Sequence, residues 1–112
     1  MKIAIPCAEN KLCLHFGHCQ EFAIVTVNDQ TKTVEKKEMK TPPPHEPGVL
    51  PQWLAEQNVS VVIAGGMGSR AQTLFEQKGI HVIVGTPSDD PEKIVELYLR
   101  QELQTGVNAC DH

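Results

Sequence analysis

The sequence predicts a single α/β domain in which helices pack on one mixed β-sheet. Three observations carry this. Residues 60–84 read as a strand, a glycine-rich turn, a helix and a second strand. Residues 22–39 read as two strands joined by the turn Asn28-Asp29-Gln30-Thr31. At 112 residues, with no internal repeat and no linker, the chain suits one core and is too short for two. Residues 1–112 are therefore expected to form one unit, with 107–112 as its tail.

Taken in order, residues 2–6 form a first short strand, apolar enough to be central. Residues 7–20 read as a long loop without helical or strand periodicity. Residues 22–27 make the second strand. Residues 32–39 make the third, whose lysines suit an exposed edge because they discourage unwanted pairing. Residues 41–51 contain five prolines and are expected to be a loop. A short helix over 50–57 then places Leu50, Trp53 and Leu54 on one face.

The unit that follows is the most legible. Val61, Val62 and Ile63 have the β-branched character of a strand buried on both faces. Gly65, Gly66 and Gly68 then place three glycines in four positions, which allows positive φ and brings peptide N–H groups together. Ser69 with Gln72 gives a capping-box signal, Leu74 and Phe75 an apolar face, and Gly79 a stop. Residues 80–84 read as a second buried strand, parallel to the first through a right-handed crossover. Asp90-Pro91 opens a last helix that Gly106 ends. Ile94, Leu97 and Tyr98 form its stripe, with Val95 and Leu99 beside it. The order is βββαβαβα.

Composition narrows the function. A net charge of −4 offers no basic field to a nucleic-acid backbone. No segment approaches the ~18 apolar residues of a membrane helix. The first residues lack a signal-peptide core, so a cytoplasmic protein with its four cysteines as thiols is expected. No CxxC pair is present, which argues against a zinc ribbon or a thioredoxin motif.

Two features could carry chemistry. The loop after the first strand concentrates Cys7, Cys13, His15, His18 and Cys19. Imidazole and thiolate together suit zinc, copper or iron, and thiolate suits iron–sulfur chemistry. The plainer alternative is a loop whose histidine caps backbone groups over a buried cysteine. The glycine turn reads as an anion cradle made of Gly65, Gly66 and Gly68 with a helix dipole behind them. Met67 at its tip offers a thioether or covers the site, and Arg70 balances anionic charge. A purely structural tight turn is the alternative. Residues 66–71 also match GxGxxA, but the acidic residue a dinucleotide site needs after the next strand is missing. If the first and fourth strands are neighbours, loop and turn face each other.

Cys110-Asp111-His112 places a thiol, a carboxylate and an imidazole at the chain's end, and is expected to fold over the loop site. His45 reads as a surface residue and His81 as a sheet residue. Enzyme readings find no nucleophile elbow and no carboxylate cluster. Cys19 with His15 or His18 would form a nucleophile pair, but nothing identifies an oxyanion hole.

His15-Phe16-Gly17, Ala64-Gly65-Gly66-Met67-Gly68 and the strand order together resemble the dinitrogenase iron–molybdenum cofactor biosynthesis family. That family includes nitrogenase-accessory cofactor carriers and the orange protein group. The likeness spans residues 2 to about 103, and the Cys110-Asp111-His112 ending resembles a subgroup. It implies a ribonuclease H-like fold, with five strands in the order 3-2-1-4-5 and strand 2 antiparallel. It also implies non-covalent binding of an iron–molybdenum or other molybdenum-, iron- or copper–sulfur cluster, without catalysis. The family's HFG histidine corresponds to His15. His18 and Cys19 are added by loop chemistry, and Cys110 and His112 by extension. The ribonuclease-type acidic residues are absent from residues 2–6.

The expected function is thus a small soluble carrier that exchanges a metal–sulfur cluster with donor and acceptor proteins. A single-metal His/Cys module of zinc type, or a phosphate- or nucleotide-binding module using the glycine turn, are the rivals. Homodimerisation through the edge strand is left open.

Overall fold

A computed structural model describes residues 1–13, 19–44 and 48–106. A continuous apolar run first makes β1 (Lys2–Ala8), whose five interior residues are all buried. Strands β2 (Lys11–Leu12), β3 (Glu21–Asn28) and β4 (Thr33–Lys40) follow. Then come α1 (Val49–Glu56), β5 (Val61–Ile63), α2 (Ser69–Gln77), β6 (His81–Ile83) and α3 (Pro91–Leu99). The sheet order is β4-β3-β1-β5-β6, with β2 attached to β1. β3 is antiparallel to β1 and to β4, while β5 is parallel to β1 and to β6. This is the expected order, with one strand more than the expected five.

The sixth strand corrects the reading of residues 7–20 as loop. β1 runs on through Cys7 and Ala8, then turns at Glu9 and Asn10, both at positive φ (55° and 66°), and pairs with Lys11 and Leu12. Cys7 is therefore a strand residue. β6 differs as well: Ile80 before it is buried, but the strand forms an outer edge with His81 exposed and Val82 and Ile83 half-buried.

The core has two layers. One lies under α1 and α2 and contains Ala4, Phe22, Ile24, Leu50, Leu54, Val62 and Phe75. Phe22 meets Trp53 edge to face, with ring centroids 5.6 Å apart. The other lies under α3 and contains Ile3, Ile5, Val25, Ile63, Ile94 and Val95. Strand alternation divides β1 between the layers.

Three boundaries shift for local reasons. Pro51 falls inside α1, in its first turn, where a missing N–H costs no helical bond. In α2 the N-cap is Gly68 and Ser69 is already helical, so the capping box is not formed. The Gln72 amide instead donates to the Met67 carbonyl at 2.8 Å. α3 begins as expected, with the Asp90 carboxylate accepting the Glu92 N–H at 3.1 Å. It ends at Leu99, well before Gly106, because Gln101 takes the left-handed conformation (φ 60°).

Candidate functional site

Pro6 sets the geometry of the candidate site. It has no N–H, and central strands seldom tolerate that. Here β1–β5 pairing covers only Ile3 and Ala4, so Pro6 stands beyond the partner strand. β3 follows one edge of β1 from Lys2 to Cys7. β2, opposite Cys7 and Ala8, therefore takes the other edge, beyond the end of β5.

The chain from 13 to 20 is anchored at both ends to this strand. The Cys13 N–H donates to the Pro6 carbonyl at 2.8 Å, and the Gln20 N–H to the Cys7 carbonyl at 2.9 Å. Successive carbonyls of a strand point to opposite edges. The two anchors thus stand on either side of the carboxyl end of β1. The glycine turn leaves the carboxyl end of the parallel neighbour β5. β1 and β5 are neighbours, as the facing of loop and turn requires, and their carboxyl ends are where open α/β folds place ligands.

The turn itself is braced from β6. Gly85 N–H donates to the Gly65 carbonyl at 2.9 Å, and Thr86 N–H to the Ala64 carbonyl at 3.3 Å. Gly65 and Gly66 are buried, and Gly68 is exposed, extended (φ −63°, ψ 153°) and open around its Cα. Gly68 therefore needs no positive φ. α2 starts with no side-chain cap and no acidic residue in its first turn, so its leading N–H groups are left for another acceptor. Arg70 is exposed in that turn. Met67 is wholly buried in the layer under α1 and α2.

None of the described cysteines is in a disulfide, and they lie on two faces. Cys7 is wholly buried in the α3 layer, its Sγ donating to the Ile5 carbonyl at 3.3 Å. Cys19, 8% exposed, lies in the opposite layer with Met67 and Ala64, and half-buried Cys13 packs against the same layer. Burial pushes the Cys19 thiol up to about 12, with the nearby Cys13 adding to the effect. Cys19 is therefore a neutral thiol unless a cation replaces its proton. His15, His18, Cys110 and His112, and likewise His45, lie outside the described residues. Among the described residues no group of three His, Cys, Asp or Glu side chains is placed to hold a metal ion.

Reading the sequence alone missed Gly85 and took Gly106 only for the end of the last helix. Gly85 sits at φ 82°, and the Gly106 N–H donates to its carbonyl at 2.7 Å. The chain after α3 is thereby brought back beside the glycine turn. A glycine following a strand was the available signal. A separate cavity of about 650 Å³ lies by α3, lined by Thr86, Asp89, Lys93, Leu97 and Leu103 among others. It holds neither cysteine nor histidine and is not the candidate metal site. No helix among the described residues is long and apolar enough to cross a membrane.

Fold and site together define a mixed α/β domain with a thiol-bearing loop and a glycine turn at one sheet end. The chain belongs to the dinitrogenase iron-molybdenum cofactor family, whose profile matches residues 1–101. It is 33% identical over 107 residues to the uncharacterized protein MJ0580 of Methanocaldococcus jannaschii, covering 93% of this chain and 90% of that one. Among solved structures, PH0822 matches with a TM-score of 0.86 at 24% identity, over 97% and 99% of the two chains. The apo form of the orange protein from Desulfovibrio gigas matches at 0.70 and 19%, over 96% and 93%. These two likenesses concern the fold.

Proposed function

We propose that this protein is a carrier that binds a metal–sulfur cluster non-covalently at the carboxyl ends of β1 and β5. The observation that carries the reading is the paired anchoring of residues 13 and 20 to Pro6 and Cys7 beside the glycine turn. It holds Cys13 and Gln20 at the same sheet end as the glycine turn. Membership of a family described by the iron-molybdenum cofactor agrees with it.

In this reading the N–H groups of Gly65–Gly68 and the start of α2 receive the anionic cluster, with Met67 supporting the turn from below and Arg70 balancing charge. His15 and Cys19 ligate a metal, and His18 assists from the same loop. Gly106 bonds Gly85, which in turn bonds Gly65, and Cys110 and His112 of the tail that follows are proposed as further ligands. A few ligands on loops suit a protein that must release its cargo to an acceptor. The cargo is a molybdenum-, iron- or copper–sulfur cluster, the chemistry is binding without catalysis, and the setting is a reducing cytoplasm that keeps the thiols free.

The test is metal and acid-labile sulfide content on protein purified without oxygen, followed by reconstitution with a copper–thiomolybdate cluster. Uptake of metal and sulfide together is expected, with His15→Ala weakening it at least about tenfold while the fold is kept. One zinc per chain without sulfide would transfer the assignment to a single-metal module. Nucleotide binding indifferent to loop His and Cys substitutions would transfer it to the glycine turn alone.

A further inference from the structure

We propose that Cys13 and Cys19 form a paired thiolate clamp for a thiophilic metal of the cargo, one sulfur from each side of the end of β1. The inference deepens the carrier reading and rests on it. The sheet itself sorts the cysteines. Cys7 alternates onto the α3 face, fully buried and bonded to the Ile5 carbonyl. Cys13 and Cys19 both join the opposite layer, where Met67 and Ala64 close the base of the glycine turn.

Their backbones are already placed. Cys13 is held through its own N–H, and Cys19 through the N–H of its neighbour Gln20, on adjacent carbonyls of one buried strand. The two anchors lie on opposite edges of β1, roughly 10 Å apart across two strand spacings. The two cysteines join one core layer at this strand end, and in the proposed clamp their sulfurs close the gap on a metal. Loop residues whose backbone is held on a buried strand lose less order on binding than free ones. Half-buried Cys13 gives the entry side, and Cys19, 8% exposed, the inner side. Sulfur donors select copper(I), iron in sulfide clusters and other soft metals over magnesium or calcium. Binding exchanges each thiol proton for a metal–sulfur bond, the protons leaving to solvent, and no oxidation state changes.

The test is a cadmium titration of the full chain, read by its sulfur-to-cadmium charge-transfer absorption. Cys13→Ser is expected to remove one thiolate's share of the absorption and to weaken binding at least about tenfold. Cys7→Ala is expected to leave both unchanged. A Cys13→Ser protein that titrates like the parent overturns the clamp. A second measurement needs no substitution: cadmium should slow maleimide modification of both Cys13 and Cys19, read by mass spectrometry, and unchanged modification also overturns it. The two readings fail separately. Cadmium held by both cysteines in a protein that refuses the copper–thiomolybdate cluster would end the carrier reading and keep the pair. Cluster uptake indifferent to Cys13→Ser would do the reverse.

Discussion

The Gly106 N–H donates to the Gly85 carbonyl oxygen at 2.7 Å, and the Gly85 N–H donates in turn to the Gly65 carbonyl at 2.9 Å. One residue thus links the glycine turn to the chain beyond α3. Gly85 sits at φ 82°, and a Cβ there would run into the Gly106 backbone. Gly79 has a similar φ, 77°, but open space around it. Gly79→Ala should therefore cost only the left-handed penalty, about 1 kcal/mol. Gly85→Ala should cost more, and it alone should weaken cluster uptake. Urea denaturation of both variants, with a cluster titration, checks the pair.

Phe75 joins α2 to the core layer that carries Cys19 and Met67, and it is wholly buried. Phe75→Ala removes that packing and leaves a cavity, so a loss of about 3–5 kcal/mol is expected. The lone tryptophan, Trp53, reaches the same layer and provides a fluorescence readout of the unfolding curve.

Asp90 caps α3 through the Glu92 N–H. Asp90→Ala should cost about 1 kcal/mol, and Asp90→Asn much less, because the amide oxygen still accepts the bond. Thermal unfolding of the two variants separates the cap from the charge.

Cys7 supplies a pH dependence. Burial pushes its thiol from 9.0 up to about 11. The folded state therefore holds the proton more tightly than the unfolded chain. The stability this gives is fully present below pH 9 and is lost as pH rises through about 11. The shift corresponds to roughly 2–3 kcal/mol. The parent should thus lose more stability than Cys7→Ala between pH 8 and pH 11, measured by urea unfolding at each. Parallel curves for the two proteins would contradict the assignment.

How much of this was legible varies by element. Val61-Val62-Ile63 announced a buried strand because a strand covered on both faces needs no alternation. His81-Val82-Ile83 has similar apolar character yet lies at an edge, and composition does not distinguish the two places. The β1–β2 ribbon was unreadable because two paired residues carry no periodicity, and Glu9 at positive φ is an unusual turn residue. Ser69 looked like a cap but stands one position inside the helix, since the extended Gly68 starts it. For the site, the density of His and Cys after β1 was visible in the sequence. What was not visible is that the sheet places Cys7 on one face and Cys13 and Cys19 on the other. That sorting depends on the register of β1 with β2, a long-range property.

The anchoring bonds at this sheet end also fix a time order. Pro6 and Cys7 are made early, but the glycine turn is braced only when Gly85 exists, and Gly85 is bridged only once Gly106 has been added. A chain still emerging from the ribosome holds Cys7, Cys13 and Cys19 before the glycine turn near them is braced. In the carrier reading, cargo loading would follow synthesis, and a chain cut short of Gly106 would lack the bond that ties the segment after α3 to Gly85.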